Sequence, residues 1–61
     1  MRRWFLVLVF DATDGGISPV RGSAATVRAP SWMLARQTYV RARGLQRDFD
    51  TSPTLLCSEI V

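Results

Sequence analysis

Residues 1–10 read M-R-R-W-F-L-V-L-V-F, and this stretch decides how the rest of the chain is interpreted. Two arginines precede seven consecutive apolar residues, Trp4 to Phe10, and no other stretch is as hydrophobic. Aromatic and β-branched side chains favour a strand. A continuous apolar run without alternation is typical of a strand buried on both faces. We therefore predict a buried strand over about residues 4–10.

The opening stretch also has two features of a targeting segment, a basic start and an apolar run. It is much shorter than the roughly 20 residues that span a bilayer. Asp11 and Asp14 follow the apolar run at once, and no small-x-small cleavage site lies close behind it. A membrane-associated or secreted peptide, addressed by residues 1–10, is therefore the alternative hypothesis. We favour a cytoplasmic or nuclear location over secretion.

The length of 61 residues fits one small domain, 1–61, or a partly disordered microprotein. At this size, folding removes only about 60% of the unfolded chain's surface from water. Cys57 is the one cysteine and histidine is absent, so neither an intrachain disulfide nor the usual zinc ligand sets can form. We expect marginal independent stability and no cofactor.

Arginine supplies all eight basic residues, and lysine and asparagine are absent. Because the codons of both missing residues are A-rich, we interpret the bias as that of a GC-rich small open reading frame. Residues 1–47 hold eight arginines and two aspartates, a net charge of +6, whereas residues 48–61 hold three acids, a net charge of −3. This arrangement predicts either internal neutralisation or an anionic partner.

Turn and strand signals follow the opening run. Asp14-Gly15 is a strong hairpin dipeptide, because glycine accepts positive φ and aspartate tolerates it. A second strand over residues 17–21 is limited to a sheet edge by Pro19, which lacks a backbone donor. Residues 25–28 fit a short extended piece.

A helix is predicted over residues 32–43. Ser31 is a good N-cap, and Gly44 can adopt the left-handed conformation that ends a helix. At 3.6 residues per turn, one face of this helix collects four residues: Trp32, Ala35, Tyr39 and Ala42.

The last third of the chain combines a loop, residues 44–53, with an apolar end, residues 54–61, which fits an edge strand or a free tail. The predicted fold class is therefore small α+β or mostly irregular. It has one N-terminal strand (about 4–10), a possible hairpin, one helix (about 32–43) and a flexible C-terminal tail.

Catalysis is not indicated by any motif. The run from Leu6 to Gly16 resembles the first motif of haloacid-dehalogenase-type phosphatases, in which two aspartates stand two residues apart after a buried strand. Asp11 and Asp14 stand three apart, and the chain is too short for the parallel sheet that carries such a site. Cys57 lacks a histidine base for thiol activation. We therefore predict a non-enzymatic protein with no small-molecule substrate.

The best functional feature is the basic helix with its interleaved aromatic residues. We predict that it binds a macromolecular partner, most plausibly a protein with an acidic surface, together with the apolar strand. The alternatives are nucleic acid, with a ring stacked on a base, and an anionic membrane surface. A solvated helix packed on the strand is the non-functional interpretation. The predicted partner-binding residues are Trp32, Arg36, Tyr39, Arg41, Arg43 and Arg47.

Three serines lie in phosphorylation contexts. Ser18 and Ser52 precede prolines, and Ser31 follows Arg28 by three residues. A phosphate on Ser31 would lie at the N-terminus of the predicted helix, where negative charge is favoured. We retain these three residues as candidate modification sites.

Overall fold

A computed structural model describes residues 2–61, and its central element is the strand β1 (Arg3–Thr13). The remaining elements, in chain order, are β2 (Gly16–Pro19), β3 (Ala25–Ala29), α1 (Trp32–Ala42), a 3₁₀ helix (Arg47–Thr51) and β4 (Leu55–Glu59). This arrangement confirms the predicted small α+β class. The hypothetical address segment begins at Met1, which lies outside the described residues.

Every other strand pairs antiparallel with β1. β3 pairs with Arg3–Val7, β4 with Phe5–Val9, and β2 with Phe10–Thr13. The carbonyl of Val9 accepts from the amide of Val20, which directly follows β2, whereas the carbonyl of Trp4 accepts from the β4 side. Because backbone groups of odd and even residues point to opposite edges of a strand, β2 and β3 share one edge of β1 and β4 occupies the other.

Ser23 closes the gap between β2 and β3. Its side chain is buried, and its Oγ accepts from the Val9 amide at 3.1 Å. The hydroxyl lies 2.6 Å from the Val20 carbonyl and 3.2 Å from that of Val9. A side chain thus replaces the missing strand partner at this point, so that the buried backbone groups of β1 stay hydrogen-bonded. No local signal in the sequence predicts this role of Ser23.

The core lies on one face of the sheet, under α1. Its buried residues are Phe5, Val7, Ala29, Ala35, Tyr39, Val40 and Leu55. Phe5 and Val7 are fully buried, whereas Trp4 on the opposite face is 50% exposed. The prediction that β1 is buried on both faces is therefore wrong. α1 covers only one side, and no second layer of this chain lies over the other among residues 2–61.

The helix has the predicted ends. Ser31 Oγ accepts from the Leu34 amide at 3.3 Å, and Gly44 has a φ of 67°. The Leu45 amide donates to the Val40 carbonyl, and the Gly44 amide to that of Arg41, which together form a Schellman motif. The helix itself stops at Ala42.

The buried stripe of α1 differs from the predicted face. It consists of Ala35, Tyr39 and Val40, whereas Trp32 and Ala42 are exposed. The buried stripe is rotated around the helix axis relative to the predicted face, because α1 packs against β1, β3 and β4 together. The periodicity of the helix sequence does not specify where these strands lie.

The hairpin forms at Asp14-Gly15 as predicted, but the conformation is different. The residue with positive φ is Gly16, at 119°, and not Gly15. Gly16 pairs with Thr13, whose hydroxyl donates to the Gly16 carbonyl at 3.2 Å. The second glycine of the pair is thus the one that the turn needs for its backbone conformation.

The prediction of a flexible C-terminal tail is wrong for the residues up to Glu59. Residues Leu55–Glu59 form β4, with Leu55 buried against the core. β4 extends the sheet by pairing with the edge of β1 that β2 and β3 leave free. The last contact of the ladder is the Ile60 amide, which donates to the Trp4 carbonyl at 2.9 Å.

We expect Val7→Ala to lower the free energy of unfolding by about 2–3 kcal/mol, because two methyl groups are lost and a cavity forms in the core. Urea unfolding followed by circular dichroism measures the change. Thr26→Ala, at an exposed position on the neighbouring strand β3, is the control and should cost less than about 1 kcal/mol. Equal losses in the two variants would contradict the one-sided core.

Candidate binding surfaces

The predicted partner-binding residues fall into two groups. Tyr39, Arg36 and Arg43 donate hydrogen bonds to backbone carbonyls of other segments, although Arg43 is exposed. Trp32, Arg41 and Arg47 are exposed and donate no such side-chain hydrogen bond within residues 2–61. Trp32 lies at the start of α1, and the two exposed arginines lie near and beyond its end. The six residues therefore do not form one surface.

Tyr39 is a core residue and not a contact residue. Its ring is 3% exposed, and its hydroxyl donates to the Ser23 carbonyl. Arg43 stacks over this ring, with the guanidinium carbon 5.2 Å from the centroid, and donates to the Gly22 carbonyl at 3.0 Å. Tyr39 and Arg43 together fix the loop between β2 and β3 to α1. The prediction that Tyr39 contacts a partner is therefore wrong.

Arg36 joins α1 to the 3₁₀ helix. Its Nε donates to the carbonyl of Asp50, and Nη2 donates to that of Ser52 at 3.1 Å. The guanidinium also lies over the Trp32 ring, 5.7 Å from the centroid. A planar guanidinium suits this double contact with the backbone. Arg36 is thus a positioning residue for the segment that follows α1.

A groove lies between α1 and the 3₁₀ helix. Its volume is about 460 Å³, and its lining residues are Gln37, Val40, Arg41, Leu45, Arg47 and Asp50. Leu45 supplies apolar surface, whereas Val40 is almost completely buried. Arg41 and Arg47 supply two positive charges against the one negative charge of Asp50. An extended segment with acidic side chains fits this combination, because the arginines can form bidentate contacts with carboxylates.

Within residues 2–61, Arg41 and Arg47 form no ion pair. Within residues 2–61, the pair with side-chain atoms inside 4 Å is Arg3–Glu59, at 3.1 Å. Arg41 and Arg47 have no acidic side chain at that distance in the described chain. The predicted internal neutralisation thus forms no ion pair in the groove, although Asp50 lies in its lining.

A second surface lies on the opposite side of the molecule. It is the face of the sheet turned away from α1, which we call the open face, and its apolar residues are Trp4, Leu6, Leu8, Phe10, Leu56 and Ile60. Leu56 pairs directly with Leu8, and Ile60 continues the ladder beside Trp4. The helix and the apolar strand are predicted to bind a partner together, but their exposed surfaces lie on opposite sides of the sheet.

The candidate phosphorylation sites have unequal surroundings. Ser18 is exposed in β2. Ser31 is half-buried and caps α1, and Ser52 is half-buried with its Oγ 2.9 Å from the Thr54 hydroxyl. A phosphate on Ser52 would break this contact, whereas one on Ser18 would lie directly opposite Asp11 of β1.

Cys57 is a free, half-buried thiol on β4. Its Sγ contacts the Trp32 carbonyl at 3.7 Å. Burial raises the pKa of the Cys57 thiol above its ordinary value of 9.0, and the nearby charge of Arg36 partly opposes this rise. The thiol is therefore held in its neutral, weakly nucleophilic form.

Within residues 2–61 no group of three or more histidine, cysteine, aspartate or glutamate side chains is placed to hold a metal ion. None of the helices in this part of the chain has the length and apolar character needed to cross a membrane.

Comparison of the chain with protein-family models, with curated proteins and with solved structures found no match.

We expect Tyr39→Phe to lower the free energy of unfolding by about 1–2 kcal/mol, because the buried Ser23 carbonyl loses its donor. Thr38→Val is the matched control, since it removes an exposed hydroxyl from the same helix, and it should change stability by less than about 0.5 kcal/mol. Urea unfolding of both variants tests this role. A Tyr39→Phe variant as stable as the parent would show that the hydroxyl is dispensable.

The raised pKa of Cys57 predicts a loss of stability at alkaline pH and a later ionisation of the thiol in the folded protein. A thiol whose pKa is raised by folding stabilises the native state fully below the unfolded pKa, and this contribution is lost as pH rises through the folded pKa. We therefore expect the midpoint pH of iodoacetamide alkylation to be higher in the folded protein than in urea. Arg36→Gln should raise the folded midpoint further, and Arg36→Lys should not. A folded midpoint at or below that of the unfolded chain would refute this assignment.

Proposed function

We propose that the protein is a non-enzymatic binding module that holds an acidic segment of a protein partner in the groove between α1 and the 3₁₀ helix. The observation that carries the proposal is the pair Arg41 and Arg47, which line the groove together with Leu45 and have no ion-pair partner within residues 2–61. Partner carboxylates would contact the guanidinium groups, and an apolar side chain would contact Leu45.

The chain's own contacts support a preformed groove. Arg36 binds two carbonyls at one end of the 3₁₀ helix, and the Schellman motif fixes the turn that precedes it. Phe49 packs from the 3₁₀ helix against the core. Binding to such a groove requires little ordering of the protein, which lowers the entropic cost of association.

Arg43, one of the predicted contact residues, is not part of the groove lining. Its guanidinium already binds the Gly22 carbonyl and covers Tyr39. Substituting it would disturb the fold as well as the charge. Arg47 carries the same charge without such contacts among the described residues, so Arg41 and Arg47 are the informative pair.

The test is a titration of the labelled protein with an octapeptide of aspartate, glutamate and leucine, followed by amide chemical shifts. We expect saturable shifts confined to about residues 37–50. Arg41→Glu with Arg47→Glu should weaken binding by about tenfold or more, since two charge pairs are reversed. The control Arg2→Glu with Arg21→Glu makes the same change in net charge on exposed residues outside the groove lining and should bind nearly as well as the parent.

Two further arms separate this function from the alternatives. A single-stranded oligonucleotide and anionic vesicles replace the peptide, with salt varied in each case. Tighter binding of the oligonucleotide, with an affinity that falls steeply with salt, would replace the proposal by nucleic-acid binding. Binding to vesicles in preference to the peptide would replace it by membrane association. If both double variants lost the same amount of peptide affinity, the interaction would depend on net charge alone and not on the groove.

A further inference from the structure

We propose that the acidic segment held in the groove also carries a large apolar residue, which inserts into a second cavity beside the groove. This inference rests on the proposed function, because it names the class of segment that the groove selects. The second cavity has a volume of about 320 Å³. It lies between the end of α1, the loop from β2 to β3 and the 3₁₀ helix, and this size is sufficient for one apolar side chain.

Leu45 connects the groove with the second cavity. It lines both of them, and it is 37% exposed. An extended segment advances about 3.3 Å per residue, so that two or three residues are enough to pass from one side of this leucine to the other. The same segment can therefore place acidic residues at Arg41 and Arg47 and an apolar residue in the second cavity.

The lining of the second cavity supplies apolar surface. Val20 is 38% exposed there, and Val9 and Phe49 are half-buried. Val9 and Phe49 pack against the core without being covered completely by it. An apolar side chain of a partner would remove this surface from water, together with its own.

Most polar side chains of this lining are already hydrogen-bonded. The Ser23 hydroxyl contacts two backbone carbonyls, and Tyr39 donates to the Ser23 carbonyl. Arg43 donates to the Gly22 carbonyl. A polar side chain of the partner would find few free hydrogen-bonding groups in exchange for its water, so the second cavity selects an apolar one.

Charge at the second cavity disfavours a basic segment. Its lining contains Arg21 and Arg43 and no acidic residue. Asp11 lies two residues beyond Val9 on the same face of β1 and is outside the lining. A lysine next to the apolar residue would therefore meet charge of the same sign. The segment that fits is an acidic block separated by two or three residues from phenylalanine, leucine or isoleucine.

Titration of the full chain with designed peptides, followed by amide chemical shifts, tests this inference. Each peptide carries an acidic block, two serines and a phenylalanine, in one order or the reverse, and each has a counterpart with alanine in place of phenylalanine. We expect one order to bind about tenfold more tightly than its alanine counterpart, because a phenyl ring is buried. Its shifts should extend to residues 9 and 20–23 in addition to residues 37–50. Equal affinities of the phenylalanine and alanine peptides in both orders would overturn this inference and leave the groove function intact.

A substitution in the second cavity tests where the apolar residue binds. Val20→Asp should remove the tenfold advantage of phenylalanine over alanine. Ile17→Asp is the matched control, since Ile17 is 74% exposed in β2 and lines neither cavity, and it should keep the advantage. If circular dichroism shows that Val20→Asp is unfolded, Val20→Thr replaces it and should lower the advantage about threefold. An advantage that survives substitution of Val20 in a folded variant would overturn the assignment.

Arg41→Glu with Arg47→Glu separates this inference from the proposed function. This variant should weaken the phenylalanine and alanine peptides by the same factor of about ten, because the apolar residue does not depend on these two charges. If it left both affinities unchanged while Val20→Asp removed the advantage, the groove function would be wrong and the second cavity alone would bind the peptide. Failure of every peptide to bind would overturn both. Tighter binding of decanoate than of any peptide would replace the segment by a free anionic amphiphile.

Discussion

Both edges of β1 are occupied by strands of the same chain, and this double pairing is the constraint on which the structure depends. β3 and β2 share one edge, and β4 takes the other. Where β2 and β3 separate, the Ser23 side chain bonds both the amide and the carbonyl of Val9. Because the buried backbone groups of β1 are satisfied along its length, a short apolar run can serve as the centre of a sheet. α1 then needs to cover only one face.

Arginine serves this small fold as a connector of loops. Arg36 holds the 3₁₀ helix, Arg43 holds the β2–β3 loop, and Arg3 donates to the Pro30 carbonyl while it pairs with Glu59. Each guanidinium also lies over an aromatic ring, which adds a cation–π contact. In a chain without a disulfide, such contacts help to position segments that a small core does not reach. The same residue type therefore has a structural role at some positions and is exposed at others.

The sequence predicted the elements better than the site. The hairpin at Asp14-Gly15, the cap at Ser31 and the stop at Gly44 are local signals, and the structure confirms each of them. The sequence predicts Tyr39 as a contact residue because aromatic residues are interleaved with arginines along the helix. Its burial depends on where β1 and Ser23 lie, and residues so far apart in sequence carry no local sign of that contact. The groove was missed for the same reason, since Gln37 and Asp50 meet only after the chain turns at Gly44.

By itself, the sequence determined the fold class, the strand at the apolar run and the ends of the helix, because these follow from side-chain character and backbone preference over a few residues. Only the tertiary structure decided which face stays open, which arginines are engaged and that residues 55–59 form an edge strand. Those outcomes depend on strand register, and a shift of one residue would exchange the two faces of β1. The open face and the groove on opposite sides of the sheet are the result of that register.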